Sequence, residues 1–278
     1  MNEFGGNWTK IKIEILVDYA KAYLQIMKGK DFFKLLYFDG FAGSGSIIKD
    51  NKVDIDVTVG AAKRIVEIDT PRPFDTYYFV EKDEKNMESL KEVTHDLFPQ
   101  KQIFLANEDC NRKLIDLSNY LRDPKNKSVR TLVYIDPCGM QVEWRSIESL
   151  KGLNLDMWIL VPTGLGVNRL LKKNGEISEA WLNRLEKFLG IGKTEITDLF
   201  YTKSPTLFEE FTYIQKEDKA IEKSAQLYGN RLKEVFEHVS KPYELRNSSN
   251  SVMYHLFLTS NNKTAVKIAN DIVKKYNK

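Results

Sequence analysis

Short apolar runs alternate along this chain with longer stretches whose apolar residues recur every three or four positions. Five of the runs are nearly continuous: "FFKLLYFDG", "TYYFVEKD", "KQIFLANEDCN", "RTLVYIDPCG" and "LDMWILVPTG". Runs of that length and uniformity predict strands buried on both faces. Between most of them lie segments of helical period, "GAAKRIVEI", "NMESLKEVTHDLF", "RKLIDLSNYLRD" and "WRSIESLKGL". Strand and helix therefore alternate, which predicts an α/β fold with a doubly wound, mostly parallel sheet of the Rossmann-like kind.

The same pattern divides the chain. Residues 1–30 hold an N-terminal helix with Ile11, Ile15, Tyr19, Ala22 and Ile26 along one side, Thr9 as a candidate N-cap and Gly29 as its stop. Residues 31–164 carry the five strands of the core. Residues 165–250 break the rhythm. They contain helical patterns such as "EAWLNRLEKFLG" and "KSAQLYGNRLKEVFEHV" without a clear buried strand, and predict a mainly helical insertion. Residues 251–278 return to the core with a strand, "SVMYHLFLTS", and a terminal helix whose Ala265, Ile268 and Ile272 share a face. No internal repeat or low-complexity segment occurs.

Composition narrows the picture only modestly. The 278 residues include 42 basic and 39 acidic side chains, a net charge of +3 that gives no overall mandate for nucleic acid or membrane. Two cysteines, Cys110 and Cys138, exclude a disulfide scaffold. With three scattered histidines they make no closely spaced zinc set. No apolar run approaches the roughly 20 residues of a membrane span. The start "MNEFGGNWTKIK" lacks a signal-peptide core, so a cytoplasmic protein without membrane contact is expected.

The chemistry gathers at the strand ends. In a doubly wound sheet, ligands bind beyond the carboxyl ends of the strands. The first strand runs into "DGFAGSG": Asp39, then Gly40 and Phe41, then Gly43 and Gly45. Glycines there let backbone approach a ligand closely. A dinucleotide turn needs a third glycine where Ile48 stands. S-adenosylmethionine (SAM) carries no phosphate; it needs close approach plus carboxylates for its amine and hydroxyls, which this turn offers. Glu81 closes the second strand, where an acid accepts ribose hydroxyls. Asp109 follows the third, beside a prospective adenine amino group, and equally suits a helix N-cap. Asp136 opens "DPCG" after the fourth, where it is the candidate to align a methyl acceptor, or else to start a β-turn. Cys138 beside it is a candidate nucleophile or a small buried side chain. Arg169, with Lys172 and Lys173, marks either a phosphate contact or a solvated helix face. His255 lies in an apolar strand and reads as a core residue.

These motifs resemble the three-Cys-motif partner proteins, a family similar to class I SAM-dependent methyltransferases. The likeness rests on "WTKIKIEILVDYAKAYLQI", "YFDGFAGSGS", "EDCN", "YIDPCGM" with Trp144 after it, "VPTGLGVNR" and "YHLFLTSNNKTAVKIANDI". It implies a methyltransferase fold in which Asp39, Gly40, Phe41, Gly43, Gly45, Glu81 and Asp109 hold SAM and Asp136 is catalytic. Pro137, Trp144 and Arg169 are implied on the substrate side, and a radical-SAM-like protein with a three-cysteine motif as a partner. "FAGSG" is also similar to the first motif of amino-methyltransferases acting on adenine or cytosine in nucleic acids. Those enzymes continue with Asp-Pro-Pro-aromatic at the fourth motif, where this chain has Asp136-Pro137-Cys138-Gly139. The missing second proline and aromatic count against methylation of a base unless Trp144 or an aromatic of the insertion substitutes; the expected substrate is a nucleic acid or a nucleic-acid-derived molecule. The N-terminal helix is expected near the mouth of the site, with Trp8, Thr9 and Lys12.

Overall fold

A computed structural model of the chain describes residues 7–44, 60–172, 176–205 and 212–277. Helix α1 (Asn7–Met27) leads into β1 (Lys34–Asp39). There follow α2 (Ala61–Val66), β2 (Thr76–Val80), α3 (Glu84–Lys91), β3 (Ile103–Ala106), α4 (Cys110–Arg122), β4 (Val129–Ile135), α5 (Trp144–Glu148) and β5 (Leu155–Val161). The sheet order is β3-β2-β1-β4-β5, all parallel. Each apolar run forms a strand because its side chains alternate between two covered faces. In β1, Leu35 and Tyr37 enter the core beneath α1, α2 and α3, while Leu36 and Phe38 enter the core beneath α4 and α5.

Helix α1 starts earlier than the pattern suggests. Thr9 lies inside it, so it is not the cap. The buried face is also broader than a single stripe: Ile15, Leu16, Tyr19, Ala20, Tyr23 and Leu24 are buried, while Ile26 is exposed. Gly29 ends the helix at φ +76°, a left-handed conformation that disfavours a Cβ.

The second half departs most from expectation. After β5 come α6 (Asn168–Leu170), α7 (Glu179–Leu189), α8 (Lys193–Phe200) and a two-stranded hairpin, β6 (Tyr201–Pro205) with β7 (Thr212–Lys216). The chain continues through α9 (Ala220–Val235), β8 (His238–Val239), β9 (Tyr243–Arg246), β10 (Val252–Ser260) and α10 (Lys263–Lys274). Strand β10 pairs antiparallel with β5 on one side and with β8 and β9 on the other. The short pieces β8 and β9 thus run parallel to β5 as one edge strand, interrupted near Pro242, which has no N–H to give a ladder. Residues 220–246, expected within a helical insertion, complete the core instead. Tyr228 and Leu232 of α9 are fully buried in the α4–α5 face, and Leu245 of β9 is buried against α1 and α10. No helix among the described residues is long and apolar enough to cross a membrane.

One joint tests this packing. Gly190 ends α7 at φ +69°, and a Cβ there would sit 2.2 Å from the Trp144 ring. Trp144 is itself 3% exposed, edge-on to Tyr228 and under the Arg231 guanidinium. Gly190→Ala meets both the left-handed penalty and a ring that has nowhere to go. It is expected to destabilise the fold by about 2–3 kcal/mol, read as a lowered urea midpoint at constant slope.

Candidate functional site

Because β1 to β5 are parallel, Asp39, Glu81, Asp109 and Asp136, which close or follow the first four, lie along one edge of the sheet. The turn after β1 shapes that edge. Gly40 donates its N–H to Tyr134 O, and a Cβ on it would lie 2.6 Å from Cys110 Sγ, so packing against α4 requires glycine there. Phe41 packs against the core and donates its N–H to Asp39 Oδ1 at 3.1 Å. Gly43 adopts φ +62°, and a Cβ there would meet nothing within 4 Å among the described residues. Gly45 and Ile48 of the predicted turn, and Lys173 further on, lie outside the described residues.

Asp39 is 1% exposed. Burial pushes its carboxyl up to about 7, opposed by the Phe41 N–H and the Tyr37 hydroxyl and reinforced by Asp136 and Glu81. Burial, with Asp39 and Asp136 nearby, holds the Tyr37 and Tyr134 hydroxyls far above the ordinary tyrosine range, so both stay donors. Glu81 bridges two loops: Oε2 accepts from Gly43 N–H at 2.9 Å and Oε1 from Asp83 N–H at 2.8 Å. Each oxygen keeps a further lone pair for a hydroxyl donor.

Asp109 is the N-cap of α4, accepting from Asn111 N–H at 2.9 Å, with Lys82 3.4 Å from its other oxygen. Burial pushes its carboxyl up, but the Asn111 and Lys82 donors outweigh that and hold it below its usual range. The cap geometry leaves Oδ2 at the rim with Lys82 as its one polar partner among the described residues.

At the end of β4, Asp136 forms the tightest ion pair of the site. Lys12 Nζ of α1 lies 2.6 Å from Oδ2 and donates to Oδ1 at 2.8 Å, while Tyr134 OH donates to Oδ2 at 3.0 Å. Lys12 is 9% exposed, with its ammonium 5.1 Å from the Trp8 ring centroid. Trp8 in turn lies 5.1 Å from the ring of Tyr254, which enters the rim from the start of β10. Tyr254 escapes the sequence reading because only an antiparallel last strand brings its residues to the carboxyl edge of the others.

The substrate-side expectations fare differently. Trp144 is a core residue, buried because α7 and α9 close over α5, and it forms no wall of an acceptor site. Pro137 is also buried, which makes its ring part of the β4 exit rather than a contact surface. Arg169 is exposed on α6, just past β5, with no ion pair among the described residues. Cys138 is exposed rather than buried, and partial burial of its thiol together with Asp136 pushes it above the ordinary cysteine range, away from the reactive thiolate. His255 is 3% exposed with Nδ1 2.7 Å from Thr163 Oγ1, and burial lowers its pKa, as a core histidine requires. A cleft of about 740 Å³ starts at the opposite edge of the sheet, beside Lys34, Thr76 and Gln102, and runs along the face next to α4 as far as Phe38; none of the four acids lines it.

No family model matches the chain, and no curated protein matches it. Among solved structures it resembles Trm1 from Pyrococcus horikoshii in complex with S-adenosyl-L-methionine, at 12% identity and a TM-score of 0.51, over 97% of this chain. The chain spans 59% of that protein's length. A spermidine synthase bound to the transition-state analogue AdoDATO matches at 11% identity and a TM-score of 0.44, over 100% of this chain and 68% of its own. A S-adenosylmethionine-dependent methyltransferase from Clostridium acetobutylicum matches at 9% and 0.34, over 87% and 90%. At such identities the likeness is one of fold, and the Trm1 superposition is the one of these three that carries it. The fold is the Rossmann-like, class I methyltransferase type.

Proposed function

We propose that this chain is a SAM-dependent methyltransferase acting on a nucleic acid or a nucleic-acid-derived substrate. The observation that carries the reading is the shared rim: Asp39, Glu81 and Asp136 lie close enough to act on one another's charge, beside a left-handed Gly43 turn that no described residue crowds. The donor set fits SAM. Its sulfonium and amine are cationic and suit an acidic edge, Glu81 has lone pairs for two ribose hydroxyls, and Gly43 admits close approach. Asp109 would take the adenine amino group through Oδ2.

When bound, SAM supplies a methyl group on a positively charged sulfur. The chain's own part is orientation. Asp136 accepts a hydrogen bond from the acceptor's N–H or O–H, points its lone pair along the line of attack and receives the proton on Oδ1 or Oδ2. Holding two reactants in line accounts for much of the acceleration such a transfer needs. Lys12 must yield part of its hold on Asp136 for that bond to form.

Calorimetry tests the pocket. SAM is expected to bind the wild type, and Glu81→Ala to weaken binding at least about tenfold, since two hydroxyls lose a charged acceptor. Asp109→Ala is expected to weaken it less and to cost about 1 kcal/mol of stability through the lost cap. NAD in place of SAM is expected to give no heat. Affinity for SAM that is the same in both variants as in the wild type would refute the assignment.

One observation favours a second reading, a SAM-fold binding subunit working with a three-cysteine-motif, radical-SAM-like partner. Both oxygens of Asp136 are already engaged by Lys12 and Tyr134. Radiolabelled methyl groups offered to RNA, DNA and cell lysate separate the two: no transfer to any of them, with SAM bound, supports the subunit.

A further inference from the structure

Trp8 does two things at once. One part of its surroundings is the rim, through Tyr254 and Lys12. The other is a groove of about 1150 Å³ between α1, β9 and the end of α10, which Trp8 also lines. The groove's charged lining is Lys241, Arg246, Lys274 and Lys275 against the single acid Glu244. On a chain whose overall charges nearly cancel, that is a local excess of cations leading to the acceptor side of the site.

We infer that this groove is the track for a single-stranded nucleic acid, with Trp8 as the aromatic on which the target base is held beside Asp136; the inference rests on the methyltransferase reading only for what happens at Asp136. The pairing states of the cations allow it. Lys241 has no ion pair among the described residues, whereas Lys274 and Lys275 pair with Asp271 and Asp18 through exposed or half-exposed side chains. Exposed pairs are weak, and phosphates compete for such ammoniums while releasing their own counterions. Arg246 is committed to Glu244 and Asn250 O, and frames the groove instead. Trp8 is only half buried, and the Tyr254 hydroxyl beside it has no hydrogen-bond partner among the described residues. The exposed part of the Trp8 ring, with the Tyr254 hydroxyl beside it and the Asp136 carboxylate beyond Lys12, is what a planar base carrying ring acceptors and an exocyclic amine would meet. This supplies the stacking residue absent after Asp136-Pro137, from a different element of the fold.

The test uses a fluorescent single-stranded RNA of roughly 20 nucleotides at about 50 mM salt, enough to cover a groove of this kind. The wild type is expected to bind it, with affinity falling steeply as salt rises. The triple variant K241Q/K274Q/K275Q is expected to bind at least about tenfold more weakly and with a shallower salt slope, reduced by about two. Trp8→Ala is expected to lose about tenfold in RNA affinity while Trp8→Phe retains it, as a stacking role requires. SAM calorimetry on the triple variant is expected to match the wild type, which also shows that it folds. Wild-type protein that ignores the RNA, or a triple variant with unchanged affinity and slope, overturns the groove even if SAM binds. RNA binding that needs the lysines, in a protein that binds no SAM, upholds the groove and removes the methyltransferase reading.

Discussion

Asp39→Asn is expected to stabilise the cofactor-free protein above neutral pH and to abolish its affinity for SAM. The carboxyl is fully buried, and its pKa rises from 3.8 to about 7. Below pH 3.8 folded and unfolded chains both hold the proton, and Asp39 favours neither. Between the two values the unfolded chain releases the proton while the folded one retains it. Stability therefore falls as pH rises, by about 1.4 kcal/mol per unit, until the folded group also ionises near 7. The accumulated penalty approaches about 4 kcal/mol in that limit. Asparagine removes the charge and keeps the geometry: its oxygen still accepts from Phe41 N–H, and the Tyr37 hydroxyl can turn to accept from its amide. A gain of about 2–3 kcal/mol at pH 8 follows, or roughly 3–5 °C in Tm for a chain of this size. The gain is expected to shrink by more than half by pH 5. A stability difference that does not vary with pH would show that burial of this charge is not what the fold tolerates. The tolerated charge has a use in the proposed function: a cationic ligand needs it, so binding to the wild type below pH 7 is expected to release a proton, visible as a binding heat that depends on the buffer.

The core was legible because its signal is local. The runs ending at Asp39, Glu81 and Asp136 are apolar at nearly every position, which a strand covered on both faces demands and little else produces. The glycines after β1 were legible for the same reason, since a left-handed turn at Gly43 and a close approach at Gly40 leave a compositional trace. The far edge of the sheet left none. β8 is two residues long, Pro242 interrupts the ladder, and β9 shows only "YELR", buried at Tyr243 and Leu245 and exposed between. Helix α9 has an ordinary amphipathic sequence. Whether such a helix covers the main sheet or an appendage depends on partners distant in the chain.

The site divides along the same line. Positions fixed by the strand they end were readable; positions fixed by tertiary approach were not. Trp144 follows the fourth motif closely in sequence, yet α5 turns it into the core, where Gly190 and Tyr228 enclose it. Tyr254 and Asp136 are 118 positions apart and reach the same rim only because β10 runs antiparallel to β5. Lys12 and Asp136 are separated by 124 positions, and no periodicity in α1 marks Lys12 as the residue that reaches the rim. Its burial even runs against the usual pattern, in which a lysine on an amphipathic helix stays in water.

Asp136→Ala is expected to lower methyl transfer by about 10²–10⁴-fold while leaving SAM affinity within a few-fold of the wild type, because the residue is asked to orient and deprotonate the acceptor rather than to hold the cofactor. The substitution also strands Lys12. Its ammonium is nearly buried against Trp8 and loses the one carboxylate that pairs with it among the described residues. A stability loss of about 1–3 kcal/mol is expected, and Lys12→Met should lose a similar amount by leaving Asp136 unpaired. The double variant Lys12→Met with Asp136→Ala should recover part of both losses, since neither charge then lacks a partner. Activity breaks the symmetry that stability shows. Lys12→Met keeps the carboxylate and frees it for an acceptor, so it is expected to transfer methyl groups at a rate comparable to or above the wild type, whereas every variant lacking Asp136 is expected to be slow. Single-turnover transfer from radiolabelled SAM to an RNA pool, measured beside urea melts of the same four proteins, reads both effects at once. Transfer that survives Asp136→Ala removes the residue from catalysis and leaves the Lys12 pair as a clasp between α1 and the sheet. A wild type that binds SAM, transfers nothing, and remains silent as Lys12→Met identifies the rim with the binding-subunit reading.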